Sequence, residues 1–204
     1  MATAGNPEAE GLDLPPEQIV ELGEATREYV VRALGVELDY TPETLPLLDH
    51  YLREARENVR ERPELAELLT RSAGAYFGEV VRRTMPCFWR LPSDDAGGWQ
   101  LCCEEVYLAF NPVAFAWDAL FESTDHAGPS SELVLDREDG EALEKRLAAL
   151  PPVSEDEYWL LATRFEVLEM AADQARQELQ RAGLEKVSYG PADYEPAPRP
   201  MGQA

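Results

Sequence analysis

The chain has 204 residues, and 40 acidic side chains oppose 18 basic ones to give a formal net charge of −22. Phosphate binding needs a local excess of Lys and Arg, so this charge argues against direct binding to nucleic acid or to an anionic membrane. Hydrophobic residues make up 45% of the sequence, as in globular proteins, and no apolar run approaches the roughly 18 residues that would cross a membrane. Three cysteines are an odd number and the N-terminus lacks the features of a secretory signal, which together predict a cytoplasmic protein.

The negative charge is unevenly distributed along the chain. Residues 1–50 carry a net charge of −9 and residues 101–150 a net charge of −8, whereas residues 51–100 are neutral, with eight acids and eight arginines. The sequence therefore predicts an Arg-containing core region between two acidic ones.

The first half of the domain is predicted to be helical. Residues 1–14 are small and acidic with Gly and Pro, which predicts a disordered tail before a single domain over residues 15–187. Apolar side chains then recur at helical spacing in three segments, which are 15–34, 42–59 and 63–84. The third segment contains Gly74 and Gly78, each of which costs about 1 kcal/mol of helix propensity. That cost predicts the close approach of another element on their side of the helix.

The hydrophobic period changes after this helix. Short β-type runs alternate with turn residues, which predicts a three- to four-stranded antiparallel meander over Cys87–Leu91, Trp99–Glu104, Val106–Phe110 and Glu132–Leu135. If Leu91 pairs with Trp99, Cys87 faces Cys103 across the first hairpin.

The last part of the chain is predicted to return to helices. Asn111-Pro112 begins a short helix, Asp136 is predicted to cap another that ends near Leu150, and a Ser154–Glu157 capping box begins one long helix from Glu155 to Ala182. Residues 188–204 are Pro-rich and are predicted to be a disordered tail. Strands segregated from helices indicate an α+β fold, with helices packed on a small antiparallel meander and a long C-terminal helix.

Candidates for catalysis are few. Cys102 or Cys103 could act as a nucleophile with His50 as its base, and Glu79 lies in the most apolar helix, where burial would perturb a carboxylate. Buried strand cysteines and structural hydrogen bonds are the more ordinary explanations for these residues. No metal site and no cofactor are predicted, because the chain has no C-x-x-C, no His at ligand spacing and no nucleotide-binding motif.

Candidates for partner binding come from arginines and aromatic residues. Arg53, Arg56 and Arg60 share one helix face, which could contact an acidic partner or pair with neighbouring carboxylates; the interleaved acids favour internal pairing. Aromatic side chains concentrate in the meander, and an exposed subset would suit a protein partner. The candidates on this surface are Trp89, Trp99 and Tyr107.

Four short pieces of the sequence carry a resemblance to a known group. They are Leu48-Asp-His-Tyr-Leu52, Ala73-Gly-Ala-Tyr-Phe-Gly-Glu-Val-Val81, Trp99 and Phe110-Asn-Pro-Val113. Together they resemble small bacterial domains of unknown function, in which a helix of roughly A-x-Y-x-G-E-V precedes a Trp-bearing strand and an N/P-rich turn. The resemblance implies helices packed on a small antiparallel sheet, and it implies no activity.

Three functional hypotheses follow. The first is a non-catalytic cytoplasmic protein-binding module, such as an adaptor, a regulator or an immunity-type neutraliser of a basic partner protein, because opposite charge speeds encounter. The second is a small cysteine- or carboxylate-dependent enzyme. The third is an acidic mimic of nucleic acid, which requires regular rows of charge on one face.

Overall fold

A computed structural model describes residues 14–184 and 186–195 of the chain. Its helices and strands are α1 Glu17–Leu34, α2 Leu45–Glu61, α3 Leu65–Thr84, β1 Cys87–Arg90, β2 Gln100–Cys103, β3 Leu108–Phe110, α4 Pro112–Phe121, β4 Val134–Leu135, α5 Arg137–Ala148, α6 Glu155–Tyr158 and α7 Leu161–Arg181. Short 3₁₀ helices lie at Pro42–Thr44, Ala96–Gly98 and Pro191–Tyr194. The predicted α+β class is confirmed, and none of the helices in these ranges is long and apolar enough to cross a membrane.

The four strands form one antiparallel sheet in the order β1-β2-β3-β4. Sequential strands are therefore neighbours, and the predicted meander is confirmed. In the first hairpin Cys87 pairs with Cys103 and Trp89 pairs with Leu101, which is the register that the sequence predicts.

Helix α3 lies at the centre of the fold, and its two glycines allow other elements to approach it. A Cβ atom on Gly74 would lie 2.6 Å from the Cα of Val113 in α4, and one on Gly78 would lie 2.3 Å from the ring of Trp89. Both contacts are closer than a methyl group permits. The close approach predicted from the two glycines is confirmed.

The predicted long C-terminal helix is confirmed as α7, but the prediction that it is continuous from Glu155 to Ala182 is wrong. The capping box of Ser154 and Glu157 begins only the four-residue α6, and α7 begins afresh at Leu161. The buried carboxylate of Asp49 accepts hydrogen bonds from the backbone N–H groups of Leu161 (2.7 Å) and Ala162 (3.1 Å). An acceptor supplied from α2 satisfies the first turn of α7 and fixes the new start.

The domain extends further towards the C-terminus than predicted. Residues 188–195, assigned to the disordered tail, pack on the outer face of the sheet, where the N–H of Tyr189 donates to the carbonyl of Glu104 (2.7 Å). The buried ring of Tyr194 stacks on Tyr107 and meets Phe88 edge-on. Two tyrosines of this segment thus bury apolar surface against the sheet. The prediction of disorder relied on the proline content of the segment and did not take these tyrosines into account. The rest of the two predicted tails, residues 1–13 and 196–204, lies outside the described residues.

Candidate functional site

The structure does not assemble the cysteine-based catalytic candidates. Strand alternation places Cys103 in the main core and Cys102 on the outer face of the sheet beneath Tyr194, both buried. Burial raises the pKa of Cys102 to about 12, so its thiol is protonated at neutral pH. His50 is exposed on α2, whose main contacts are with other helices, whereas the three cysteines are buried in the sheet.

Glu79 holds α3 to β1. Its carboxylate accepts hydrogen bonds from the indole N–H of Trp89 (2.8 Å) and from Nε and Nη2 of Arg82 (2.8 and 3.0 Å), and its side chain is 3% exposed. A buried carboxylate bound in this way is electrostatically compensated and geometrically fixed. The contacts account for Glu79 as a structural residue.

The three arginines of α2 have different surroundings. Arg56 donates to the carbonyls of Ala119 (2.8 Å) and Leu120 (3.0 Å) and so satisfies the C-terminal end of α4. Arg60 is exposed and pairs with Glu57 on its own helix, and Arg53 is also exposed. Arg56 also pairs with Glu122 (2.6 Å), so Arg56 and Arg60 both follow the internal interpretation, whereas Arg53 remains an exposed side chain.

Two of the three aromatic partner candidates are inside the molecule. Trp99 is fully buried and Trp89 is 9% exposed, so the expectation that either presents a surface to a partner is corrected. Trp89 faces inward because it pairs with Leu101, which points into the core. Trp99 has extended backbone two residues before Leu101 and so shares the same face of the sheet. Tyr107 is half-buried on the opposite face of the sheet and does line a surface cleft.

Two buried polar constellations were not predicted. Asp49 is a polar residue on the apolar stripe of α2, between Leu45 and Leu52, and that position was a usable sequence indication. Burial is the main influence on Asp49 and raises its pKa to about 6, against the opposing effect of the two N–H donors of α7. Its role as a helix cap depends on a residue 112 positions away, which no local pattern encodes.

The second constellation joins α4 to the loop that follows it. Nε2 of His126 lies 2.9 Å from Oδ1 of the buried Asp118, while the N–H of Gly128 donates to Nδ1 of His126 (3.1 Å). Nδ1 accepts, so Nε2 carries the proton and donates to the carboxylate. Arg164 of α7 approaches the other oxygen of Asp118 at 3.4 Å. With both ring nitrogens engaged, His126 fixes the loop and is not placed to act as a base.

A cleft of about 790 Å³ lies between the start of α5, the end of α7 and the C-terminal segment. Tyr107 and Tyr189, whose rings are 5.7 Å apart, form an aromatic wall. The lining carboxylates are Asp136, Glu138, Asp139 and Glu178, and the lining bases are Arg137 and Arg181. Arg137 pairs with Glu141 and Arg181 pairs with Glu178, so both guanidinium groups already have acidic partners.

The electrostatic field in this cleft is negative. Partial burial raises the pKa of Asp139, and the neighbouring carboxylates of Asp136, Glu178 and Glu138 raise it further. The pKa of Tyr189 is raised by burial and then by the charges of Asp136 and Asp139. Asp136 precedes α5 but its side chain does not cap that helix, so the predicted cap is wrong and the carboxylate is left at the cleft.

A second acidic cleft of about 550 Å³ lies near the other end of α7. Its lining includes the carboxylates of Glu166, Glu169 and Asp173 and the side chains of Met85 and Met170. Arg176 also lines this cleft, where its guanidinium pairs with Asp173 (2.7 Å). Burial and the charges of Asp173 and Glu166 raise the pKa of Glu169. Within the described ranges, no three His, Cys, Asp or Glu side chains converge in a way that could hold a metal ion.

Comparison with known proteins adds no relative: no family model, no curated protein and no solved structure matches this chain. The resemblance to small bacterial domains of unknown function stays a prediction.

Proposed function

We propose that this chain is a protein-binding module that holds a basic segment of a partner protein in the cleft between α5 and α7. The observation that carries the proposal is the combination of a 790 Å³ cavity, an aromatic wall of Tyr107 and Tyr189, and a cluster of carboxylates around Asp139, whose pKa is raised first by burial and then by the neighbouring negative charges. A cation entering this cleft would relieve the repulsion among these charges.

The chemistry of the cleft suits an Arg or Lys side chain. Its aliphatic stem would pack on the tyrosine rings, and its charged head would meet Asp136 and Asp139, with which no basic residue of the described part of the chain forms an ion pair. One exposed ion pair contributes about 0.2–1 kcal/mol and one exposed cation–π contact about 0.5–1 kcal/mol. A single side chain would therefore bind weakly, and a stable complex requires a segment with several basic residues.

The second acidic cleft lies on a different face of α7 from the first. Helix α7 contributes to both clefts, with Glu178 at one end and Glu166, Glu169 and Asp173 towards the other. The helix rises about 1.5 Å per residue, so Glu166 and Glu178 are about 18 Å apart along its axis. With 3.6 residues per turn, the α7 residues that line the two clefts also point to nearly opposite sides of the helix, so the second cleft is a separate place for a basic side chain and not a continuation of the first.

Equilibrium binding of a fluorescein-labelled peptide rich in Arg and Lys tests the proposal. The variant D136N/D139N/E178Q removes three negative charges from the cleft. The matched control E17Q/E21Q/E155Q removes three exposed charges on α1 and α6. We expect the cleft variant to weaken binding at least tenfold, about 1.4 kcal/mol, and the control to weaken it less than threefold.

Equal weakening by the two variants would mean that the peptide responds only to net charge, and it would refute a specific site. A peptide of the same length with Gln in place of Arg and Lys should not bind. Circular dichroism of both variants confirms that the fold is retained.

A further inference from the structure

The sulfur atoms of Cys87 and Cys103 lie 2.9 Å apart in the core face of the first hairpin. The N–H of Glu104 donates to the carbonyl of Pro86, so residues 86 and 104 face each other at a hydrogen-bonded position of the ladder. Hydrogen-bonded and non-hydrogen-bonded positions alternate in antiparallel strands. The neighbouring pair, Cys87 and Cys103, is therefore a non-hydrogen-bonded pair, in which the Cα atoms are about 4.5 Å apart.

That spacing falls within the range of Cα separations, about 4.4–6.8 Å, at which two cysteines can be joined without moving the backbone. Cys102 is differently placed, because strand alternation turns its side chain to the opposite face of the sheet, under Tyr194. Only one of the three possible cysteine pairs therefore has the geometry for a bond. The location of Cys87 also provides a route to it, because β1 is an edge strand and Cys87 is its first residue.

We propose that Cys87 and Cys103 are a reversible oxidation site that forms a cross-strand disulfide by exchange with a low-molecular-weight disulfide such as oxidised glutathione. In the first step the thiolate of Cys87 attacks one sulfur of the small disulfide, which forms a mixed disulfide and releases one small thiolate. In the second step the thiolate of Cys103 attacks the Cys87 sulfur and displaces the second small thiolate. The two protein thiols lose two protons and two electrons, and the small disulfide is reduced to two thiols.

Burial sets the rate of this exchange. Both thiols are buried, and the hydrogen bond between them together with burial raises the pKa of Cys87 well above its ordinary value. The first attack therefore requires fraying of the edge strand at Cys87, a local opening that is less costly than global unfolding. The native protein should react slowly and yet reach the oxidised state at equilibrium.

The test measures the thiol–disulfide equilibrium of the full chain, starting once from the reduced protein and once from the oxidised protein. Reduced native protein, and protein oxidised while unfolded and then refolded, are each held in mixtures of oxidised and reduced glutathione until the two samples agree. Acid quenching, alkylation in denaturant and mass spectrometry then count the free thiols. The matched variants are C102S, which keeps the facing pair, and C87S and C103S, which remove it.

We expect wild type and C102S to lose two hydrogens and to form the Cys87–Cys103 bond, whereas C87S and C103S form no intramolecular bond. A bridge across this loop of about 15 residues should raise the Tm of C102S by about 6–12 °C. If both starting samples converge on the reduced protein when oxidised glutathione dominates, the proposal is wrong. It is also wrong if peptide mapping of the wild type, which does not depend on the folding of any variant, finds the bond at Cys102.

Discussion

Replacement of Asp49 by Asn should change how the stability of the protein depends on pH. Burial favours the neutral form of Asp49 and raises its pKa from 3.8 to about 6. A carboxyl group with a raised pKa in the folded state stabilises the fold fully below the unfolded pKa and loses that contribution as the pH rises through the folded pKa. A difference of about two pKa units corresponds to about 3 kcal/mol, of which about 2–3 kcal/mol is lost between pH 4 and pH 7. Asn cannot ionise and keeps one acceptor oxygen for the start of α7.

The measurement is the free energy of unfolding in urea for wild type and D49N at several pH values between 4 and 7.5. The other carboxylates titrate in both proteins, so the difference between the two free energies isolates Asp49. We expect that difference to move in favour of D49N by about 2–3 kcal/mol as the pH rises from 4 to 7. A difference that is constant with pH would mean that the N–H groups of Leu161 and Ala162 offset the burial of the charge, and the reasoning would be refuted.

Three further predictions concern the packing of the helices. G74A should lower the free energy of unfolding by about 3 kcal/mol, because its methyl group meets the backbone of α4. Gly140 lies in α5 and has no atom near an added methyl group, so the control G140A should raise that free energy by about 1 kcal/mol. If urea titrations gave G74A and G140A the same change in the free energy of unfolding, the role assigned to Gly74 would be contradicted. H126A should cost about 1–3 kcal/mol and make residues 122–133 more sensitive to limited proteolysis, because Asp118 loses a hydrogen-bond donor; unchanged cleavage would count against it. E79A should cost about 3–5 kcal/mol by thermal or urea unfolding, since it removes the carboxylate that accepts hydrogen bonds from the buried indole of Trp89 and from the partly exposed guanidinium of Arg82.

The elements with strong local patterns could be predicted. The apolar spacing of α2 and α3 follows from residues within the same helix, and the cost of Gly74 and Gly78 already indicated a close neighbour. The first hairpin could be assigned because its turn fixes its register, and one pairing then places Cys87 opposite Cys103.

The features that were missed depend on contacts between distant parts of the chain. The break between α6 and α7 depends on Asp49 of α2, which caps the start of α7. The ordered packing of residues 189–195 depends on the face of the sheet that Tyr194 covers. The candidate cleft is assembled from β-sheet, α5, α7 and the C-terminal segment, so Tyr107 could be named from the sequence but its companions could not. The net charge of the chain predicts the sign of the charge on the proposed partner, but it does not locate the proposed site.

The central claim, that the cleft between α5 and α7 holds a basic segment, is tested most directly by the backbone amide NMR spectrum of the labelled protein during titration with an Arg- and Lys-rich peptide. We predict chemical-shift changes concentrated at residues 136–139, 175–182 and 189, which line the cleft, and a second, smaller set at 166–173. Raising the salt concentration should reduce both sets together. Shifts scattered over α1 and α2, or no shifts at the cleft when the peptide is in excess, would contradict the claim.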